Sequence, residues 1–393
     1  MNTPAPDFGA WVREELTARL ALRQAGETVS VLGAGNDDLE AGRRYLDALS
    51  GSGLAIPSWP REYGGLGATP DEVAIVRREL AGFAVPDLYA YLVGVELVGP
   101  TLLAHGSAEQ CARWLPSIGN GSEIWCQLFS EPGAGSDLAG LSTRAIADGE
   151  QWHVTGQKVW TSRGAYSRYG LLLARHDSHV PKHRGITAFG LDLQTPGVEV
   201  RPLRQMNGDA HFTEVFLDDV VVPDSDRIGA TGDGWRVALT CLSFERGAVA
   251  AGGSGGLLDI DRLIALARHR GLSTDPTVRD ALARLAVDLR VMSLTARRAR
   301  DTALSGKPGP EGSGLKLRGS RTFRDYTNLA LRLLGPDALT ETEPWHTLFL
   351  TAPSLSIRGG TDEIQRNIIG ERILGLAEEP RLDRTLPFDQ LPR

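Results

Sequence analysis

The sequence is poor in cysteine. Its three cysteines, Cys111, Cys126 and Cys241, show neither C-x-x-C spacing nor a neighbouring histidine cluster. A small, odd and scattered set does not build a disulfide framework or a zinc site. We therefore expect no metal centre, and a reducing, cytoplasmic setting.

Clusters of positive charge and long apolar runs are also missing. The net charge is −7, and no Lys/Arg cluster stands out, so a nucleic-acid partner is not expected. The first residues lack the basic and apolar regions of a secretory signal peptide. The longest apolar run, 88–104, contains Glu96 and Pro100, and therefore predicts buried helices rather than a membrane span.

The 393 residues are enough for two or three domains, and the apolar spacing changes twice along them. It is helical from about residue 8 to 120, alternates in short β-type runs between about 122 and 230, and is helical again from Gly234. The last helix is predicted over 362–374, with Ile373 as the end of its buried stripe. We predict a helical domain over 1–121, a β domain over 122–231 and a helical domain over 232–393.

The middle segment lacks a G-x-G-x-x-G fingerprint, which removes the main support for a doubly wound nucleotide-binding sheet. Its short strands follow one another without intervening helices. That order favours a small antiparallel barrel or sandwich. No internal repeat is seen.

One run of twelve residues, 126–137, joins an apolar strand-like entry to a Pro-Gly break and several small residues. Gly133 and Gly135 allow backbone amides to approach a ligand closely, and Ser130 and Ser136 supply hydroxyl groups. The run predicts a loop that holds a flat, polar ligand edge. A plain turn between two strands is the alternative for any short Gly-Ser-Asp sequence.

A second candidate is Glu245, whose helical spacing from Cys241, Leu242 and Val249 places its carboxylate on an apolar face. Burial there would raise the pKa of the carboxyl toward the range of a general base. The alternative is a structural ion pair with an arginine. Arg246 is adjacent in sequence but lies on another face.

The run 126–137 resembles the flavin-binding signature of the acyl-CoA dehydrogenase family, with Ser130 where Thr is commoner. The segments 59–65 and 358–366 resemble two further stretches of that family. The resemblance covers nearly the whole chain. It implies an α+β, acyl-CoA dehydrogenase-like fold, with an N-terminal helical domain, a central antiparallel β-barrel domain and a C-terminal four-helix bundle.

The same resemblance implies FAD as the cofactor. Trp160 would pack against the isoalloxazine, although an isolated strand tryptophan is more often a core residue. Arg270 would reach a flavin pyrophosphate across a subunit interface, with an exposed surface arginine as the alternative. The positions that match the family's flavin contacts are Gln127, Leu128, Phe129, Ser130, Ser136, Trp160, Thr161, Ser162, Arg270, Thr361 and Glu363.

The family removes the proton α to a thioester carbonyl with a glutamate from one of two places. Gly359 stands at the commoner place, and Glu245-Arg246 matches the alternative used by isovaleryl- and long-chain-type members. The resemblance therefore implies that Glu245 is the base, and that the Gly359 N–H polarises the carbonyl. Ser136 and Arg246 match positions that contact the thioester arm, so the expected substrate is an acyl-CoA or another pantetheine-linked acyl thioester.

Two departures from the family pattern touch the adenine end of the cofactor site. Ser273-Thr274 replaces Phe-Gly, and Arg332 to Pro336 replaces Gln-x-x-Gly-Gly. They fit a chain adapted to an unlike partner. A homodimer or homotetramer is expected, or a heterotetramer, with electron-transfer flavoprotein or oxygen as the electron acceptor.

Two other functions stay open at this point. One is an oxidase or dehydrogenase of the same fold that acts on an acyl or aminoacyl group bound to a carrier protein. The other is a non-catalytic partner subunit of a mixed tetramer. The intact Glu245 and the intact run 126–137 count against the second.

Overall fold

In the computed structural model, which describes residues 7–24, 38–250, 258–304, 311–340, 344–378 and 381–392, most helix and strand boundaries follow the apolar periodicity. The chain divides into two units. The first consists of Met1–Arg204, Ala210–Phe244 and Leu382–Arg393, and the second of Gln205–Asp209 and Glu245–Arg381.

Within the described residues, six α-helices open the first unit. Thr69 and Ser107 begin two of them with capping boxes, in which the hydroxyl and the side chain three residues later satisfy each other's backbone N–H groups. Val12, Leu16 and Leu49 are fully buried where the first helices pack. The helices are α1 (Phe8–Arg19), α2 (Leu39–Ser50), α3 (Pro70–Leu80), α4 (Tyr89–Leu92), α5 (Gly99–His105) and α6 (Ala108–Gly119).

The apolar run 88–104 forms α4, a π-helical turn at Val93–Val98, and the start of α5. Val98 and Leu102 are fully buried, which confirms the prediction of buried helices. Among the described residues, no helix is long and apolar enough to cross a membrane.

A mixed sheet follows, in the order β6-β7-β3-β2-β4-β5-β8. Most neighbours are antiparallel, as predicted, but β4 has two parallel neighbours: β1, with Trp125 opposite Tyr169, and β2, with Arg144 opposite Arg175. The antiparallel expectation missed the β1–β4 pair because β1 arrives from α6 rather than from a hairpin. The strands are β1 (Trp125–Leu128), β2 (Arg144–Asp148), β3 (Gln151–Ser162), β4 (Tyr169–Arg175), β5 (Ile186–Asp192), β6 (Val198–Leu203), β7 (Phe212–Pro223) and β8 (Arg227–Ile228).

Strand β4 is buried on both faces and joins two apolar cores. Leu171 and Leu173 belong to the core shared with the N-terminal helices, whereas Leu172 and Ala174 belong to the core inside the sheet. Alternate residues of a strand point to opposite faces, so a continuous apolar run serves both cores.

Helix α7 (Gly234–Ala250) runs from the first unit into the second. The core of the second unit contains Leu263, Phe323 and Tyr326, and the Tyr326 hydroxyl donates to the Asp259 carbonyl at 2.8 Å. The remaining helices are α8 (Ile260–His269), α9 (Pro276–Leu304), α10 (Glu311–Leu334), α11 (Trp345–Thr351) and α12 (Asp362–Arg372).

Two details of the second unit differ from the sequence-based prediction. The short helix α11 was not predicted, because its seven residues hold less than two full turns of periodicity. Helix α12 ends at Arg372, before the predicted end at residue 374, and Ile373 is 46% exposed rather than buried. Because Ile373 follows the last turn of α12, it does not continue the buried face of that helix.

Candidate active site

The run 126–137 begins as β1 and continues into a tight turn. The backbone groups of Glu131 and Ala134 bond to each other in both directions, each at 3.0 Å. An added Cβ on Gly133 or Gly135 would meet no atom within 4 Å, and neither glycine has a positive φ. Their missing side chains leave open surface, which is what close approach of a ligand requires.

A buried ion pair lies directly under this turn. Glu131 is 8% exposed and Lys158 is fully buried, and the Lys158 Nζ lies 2.7 Å from Glu131 Oε1. Lys158 also donates to the Phe129 carbonyl at 3.2 Å. Glu131 accepts from the N–H groups of Ser142 (2.6 Å) and Thr143 (2.9 Å). The pair fixes the turn to β3.

The pKa values of Lys158 and Glu131 both lie below their ordinary values, for different reasons. Burial lowers the pKa of Lys158 to about 8, against the raising effect of Glu131. Burial alone would raise the pKa of Glu131, but the charge of Lys158 and the hydrogen bonds hold it below its ordinary value. The prediction of site residues missed both. The available signal was a lone lysine in the strand beside Val159, together with the acid of the Glu-Pro pair.

The predicted cofactor residues of the run have different surroundings. The Ser130 carbonyl accepts from Val159 N at 2.9 Å, which holds half-buried Ser130 beside β3. The Gln127 amide lies 3.2 Å from the Cys241 sulfur. Leu128 is 0% and Phe129 6% exposed, so these two would present backbone atoms to a ligand.

Trp160 lies at an irregularity of β3, where the pairing with β7 shifts between Lys158 and Thr161. Its φ is +59°, a left-handed conformation that bulky residues rarely adopt. The ring is 56% exposed and meets Phe212 edge-on, with 5.8 Å between the ring centroids. Trp160 is therefore not a core tryptophan.

The two residues after Trp160 differ from each other. Thr161 is 1% exposed, and its hydroxyl has no hydrogen-bond partner among the described residues. Ser162 is half-buried, at the end of β3. The exposed ring of Trp160 beside the polar side chain of Ser162 suits a flat aromatic ligand.

In the second unit, Glu245 and Gly359 are neighbours. Glu245 is half-buried on α7, and Gly359 has φ +65°. A Cβ built on Gly359 would lie 3.9 Å from Glu245 Oε1. A side chain at the second candidate position would therefore begin in van der Waals contact with the carboxylate of the first. Arg246 lies on α7, but its side chain falls outside the described residues.

The segment after Gly359 is a well-anchored helix start. Thr361 Oγ1 accepts from Ile364 N at 3.2 Å and so caps the first turn of α12. Asp362 accepts from Lys316 Nζ at 2.8 Å, which ties α12 to α10. The Glu363 side chain is 75% exposed and pairs with Arg366 at 3.1 Å.

Arg270 caps the C-terminal end of α8 and pairs with a carboxylate of its own unit. Its Nη1 lies 2.5 Å from Asp337 Oδ2, and its side chain is 30% exposed. Its Nε is buried, with no hydrogen-bond partner among the described residues. Asp337 lies in Gly335–Leu339, after α10, and directly follows the stretch 332–336 where the sequence departs from the family pattern. The carboxylate competes there with any phosphate for the guanidinium.

The residues of the first unit fit a flavin, since they offer an exposed aromatic ring, an open glycine turn and half-buried serine hydroxyls. The second unit offers Thr361 and Glu363, but an arginine already engaged by Asp337. Among the described residues, no group of His, Cys, Asp or Glu could hold a metal ion.

Three family models match this chain, and all describe acyl-CoA dehydrogenases. They are the N-terminal domain over residues 23–122, the middle domain over 126–220 and the C-terminal domain over 232–374. Together they define the class as a three-domain flavoprotein-type oxidoreductase fold, which confirms the predicted fold.

Individual proteins agree with the family models. Acyl-CoA dehydrogenase IpdE1 of Mycobacterium tuberculosis is 38% identical over 379 residues, 94% of this chain and 98% of that protein. The solved structure described as the Tcur3481-Tcur3483 steroid ACAD has a TM-score of 0.76 at 26% identity, and the match covers 96% of this chain and 100% of that one. For the ChsE4-ChsE5 complex of Mycobacterium tuberculosis the TM-score is 0.70 at 26% identity, again over 96% and 100%. The chain belongs to the acyl-CoA dehydrogenase family.

Proposed function

We propose that this chain catalyses FAD-dependent α,β-dehydrogenation of an acyl thioester, with Glu245 as the base. The supporting observation is the 3.9 Å between Glu245 Oε1 and the position of a Cβ on Gly359. In this family Gly359 occupies the other base position. A side chain there would begin beside the Glu245 carboxylate, so glycine keeps the approach to that carboxylate open.

The roles divide among this chain's own residues. Glu245 takes the α-proton, and the Gly359 N–H donates to the thioester carbonyl, which acidifies that proton. Ser136, which is exposed, and Arg246 contact the thioester arm. Holding the acyl group in line with the base supplies a further part of the rate.

FAD would be held by the backbone of 127–129, by Ser130, Ser136 and Ser162, by the ring of Trp160 and, in the second unit, by Thr361 and Glu363. When bound, FAD supplies the acceptor for the β-hydride at its N5 position. The protein then contributes the base, the alignment and the carbonyl hydrogen bond.

For the substrate we propose an acyl-CoA with a bulky, steroid-type acyl group. The support is the likeness to the Tcur3481-Tcur3483 steroid ACAD over nearly the whole of both chains. A panel of steroid-derived, branched and straight-chain CoA thioesters tests this class. The highest kcat/KM on a straight-chain thioester would overturn it.

Replacement of Glu245 by Gln tests the base. The variant should bind FAD as the wild type does, yet bleach the visible flavin absorbance at least about a hundredfold more slowly on anaerobic mixing with an acyl-CoA. Glu371→Gln, a carboxylate on α12 in the same unit, is the matched control and should bleach at the wild-type rate. Retained bleaching in Glu245→Gln would falsify the assignment.

A second candidate is a subunit that works only with an unlike partner. The Arg270–Asp337 pair favours it, because the arginine that the family resemblance assigns to the flavin pyrophosphate is paired with a carboxylate of its own subunit. The ChsE4-ChsE5 complex is a heteromeric member of the fold. FAD content is measured for the protein purified alone and for the protein mixed with a neighbour-encoded homologue. The comparison separates the two candidate functions. One flavin per chain in the isolated protein would exclude dependence on a partner.

The electron acceptor and the thioester carrier have their own tests. Peroxide release under air distinguishes an oxidase from a dehydrogenase that needs electron-transfer flavoprotein. CoA and carrier-protein thioesters of the same acyl group distinguish the two carriers. We expect the CoA thioester to react faster, and peroxide to be a minor product.

A further inference from the structure

We propose that Lys182 is a positioning residue for the Ser136 loop (residues 133–140), and that the 382–392 segment holds it in place. The proposal rests on the function given above, in which Ser136 contacts the thioester arm. Three groups carry it: a buried ammonium, a buried guanidinium, and a segment distant in sequence that covers both.

Lys182 lies between two carboxylates from distant parts of the first unit. Its side chain is 8% exposed, and Nζ lies 2.7 and 2.8 Å from the two oxygens of Asp137. The same Nζ lies 2.8 Å from Asp383 Oδ2. Asp137 is adjacent to Ser136, so this ammonium fixes the residue next to the proposed substrate contact. A buried lysine needs such partners, because its charge has lost its water.

Arg175 holds the other side of the loop. Its guanidinium, 4% exposed, donates to the carbonyls of Ala139 (2.6 Å), Leu141 (3.0 Å) and Lys182 (3.0 Å). One side chain thus ties the end of the Ser136 loop to the backbone of Lys182. Three carbonyl acceptors in fixed directions match the planar fork of arginine, whereas a lysine could not span them.

The 382–392 segment closes this arrangement from outside. The Phe388 ring lies under Arg175, with 3.6 Å from Cζ to the ring centroid. The backbone N–H groups of Phe388 and Asp389 donate to Val180 (3.0 Å) and Ser178 (3.1 Å). The segment therefore supplies both an aromatic cover for Arg175 and the second carboxylate on Lys182. Docking of the 382–392 segment therefore positions Ser136 indirectly, through Lys182 and Asp137.

The chain offers a matched pair of variants on the same segment. Asp383→Asn removes the carboxylate on Lys182. Asp389→Asn removes a second carboxylate of the segment, which lies 2.7 Å from His179, a residue whose side chain is 82% exposed. Both change one charge of the 382–392 segment, and only the first lies on the path to Ser136.

The first measurement is hydrogen exchange at Gly140 N and Leu141 N, which donate to Asp137 O (2.9 Å) and Leu138 O (3.1 Å). Asp383→Asn should speed exchange at both amides on the order of tenfold, and Asp389→Asn should not. This readout needs no substrate, so it stays informative even if the wild type oxidises no acyl thioester. Equal exchange in the two variants would overturn the proposal.

The second measurement is steady-state kinetics with the best acyl-CoA of the panel. Loss of a positioned binding contact should raise KM on the order of tenfold in Asp383→Asn with kcat within about twofold. Lys182→Met should show the same split, more strongly. A fall in kcat at unchanged KM, or no change in either variant, would contradict a positioning role of Lys182. An inactive wild type would instead count against the proposed function.

Discussion

At the scale of single residues, Gly359 shows how an absent side chain shapes a site. Its backbone is left-handed, a conformation that costs other residues roughly 1–2 kcal/mol. The same residue leaves the approach to Glu245 open. The conformational and the functional reasons for glycine therefore coincide, and a control is needed to separate them.

Gly375 provides that control, because its φ of +64° matches the +65° of Gly359 and an added Cβ there would meet nothing within 4 Å. We predict that Gly359→Ala and Gly375→Ala lose similar stability, about 1 kcal/mol in urea denaturation. Only Gly359→Ala should slow flavin bleaching by acyl-CoA. Equal bleaching rates in both variants would contradict the role of Gly359.

The buried Lys158–Glu131 pair gives a second prediction at this scale. Lys158→Met leaves the Glu131 carboxylate buried without its partner, and should destabilise the protein by about 3–5 kcal/mol. The double variant Lys158→Met with Glu131→Gln should recover part of that loss, because no charge is then left alone. Urea denaturation of the single and double variants measures it. A double variant no more stable than Lys158→Met would show that the pair is not coupled.

The sequence predicted some single residues of the candidate site and missed others. It singled out Ser130, Trp160 and Glu245, because motif positions and helical spacing are local properties of the chain. It missed the Lys158–Glu131 and Lys182–Asp383 pairs, because their partners are brought together only when strands and segments distant in sequence pack. A charged residue in an apolar run signals that a partner exists without saying which.

At the scale of elements, the corner after β7 is fixed by one carboxylate. Asp224 accepts from Trp152 Nε1 on β3 at 2.7 Å and from Arg227 on β8 at 2.8 and 2.9 Å. The Arg227 and Trp152 hydrogen bonds lower the pKa of Asp224 from 3.8 to about 2. The folded protein thus keeps this charge at pH values where the unfolded chain is protonated.

We predict that Asp224→Asn destabilises the protein by about 1 kcal/mol at neutral pH. Because the folded-state pKa is depressed, the contribution of Asp224 is full above about pH 4 and is lost as the pH falls toward 2. The stability difference from wild type should therefore shrink over that interval in urea titrations. Asp148→Asn on β2, at a side chain 81% exposed, is the control and should change the free energy of unfolding at neutral pH by less than about 0.5 kcal/mol.

Elements were predictable where periodicity was long. The apolar pattern predicts helices over about 275–305 and 314–334 and a strand over 213–222, and α9, α10 and β7 lie close to those bounds, because long repeats of 3.6 or 2 residues are hard to mistake. The parallel partner of β1 and the short helix α11 were not predictable. Strand pairing depends on where the chain travels between elements, and seven residues carry little periodic signal.

At the scale of the whole molecule, helix α9 presents an apolar row that the described chain leaves exposed. Val287, Val291 and Leu294 are 59%, 41% and 50% exposed and share one helix face. Exposed apolar patches of this kind mark protein interfaces. We expect the occupant to be a second subunit of the same family, like or unlike.

Val291→Glu should weaken that assembly and shift the mass found by light scattering toward the single subunit. Ser293→Glu, the same new charge on an exposed residue of another face of α9, should leave the mass unchanged. If both variants keep the wild-type mass, this face of α9 is not the interface. The light-scattering measurement is repeated with the partner homologue added. If the occupant of this face is an unlike subunit, the larger assembly forms only in that mixture.

The exposure of Trp160 has a spectroscopic consequence. All eight tryptophans lie in the described ranges, and five of them, Trp59, Trp114, Trp125, Trp152 and Trp345, are buried. Trp160 is the most exposed of the eight, and among the residues that the structure describes its ring contact is the edge of Phe212. Its emission therefore responds to solvent and to whatever stacks on the ring. The difference in fluorescence between the wild type and a Trp160→Phe variant should therefore report occupancy of the site, through quenching and energy transfer, without an added label.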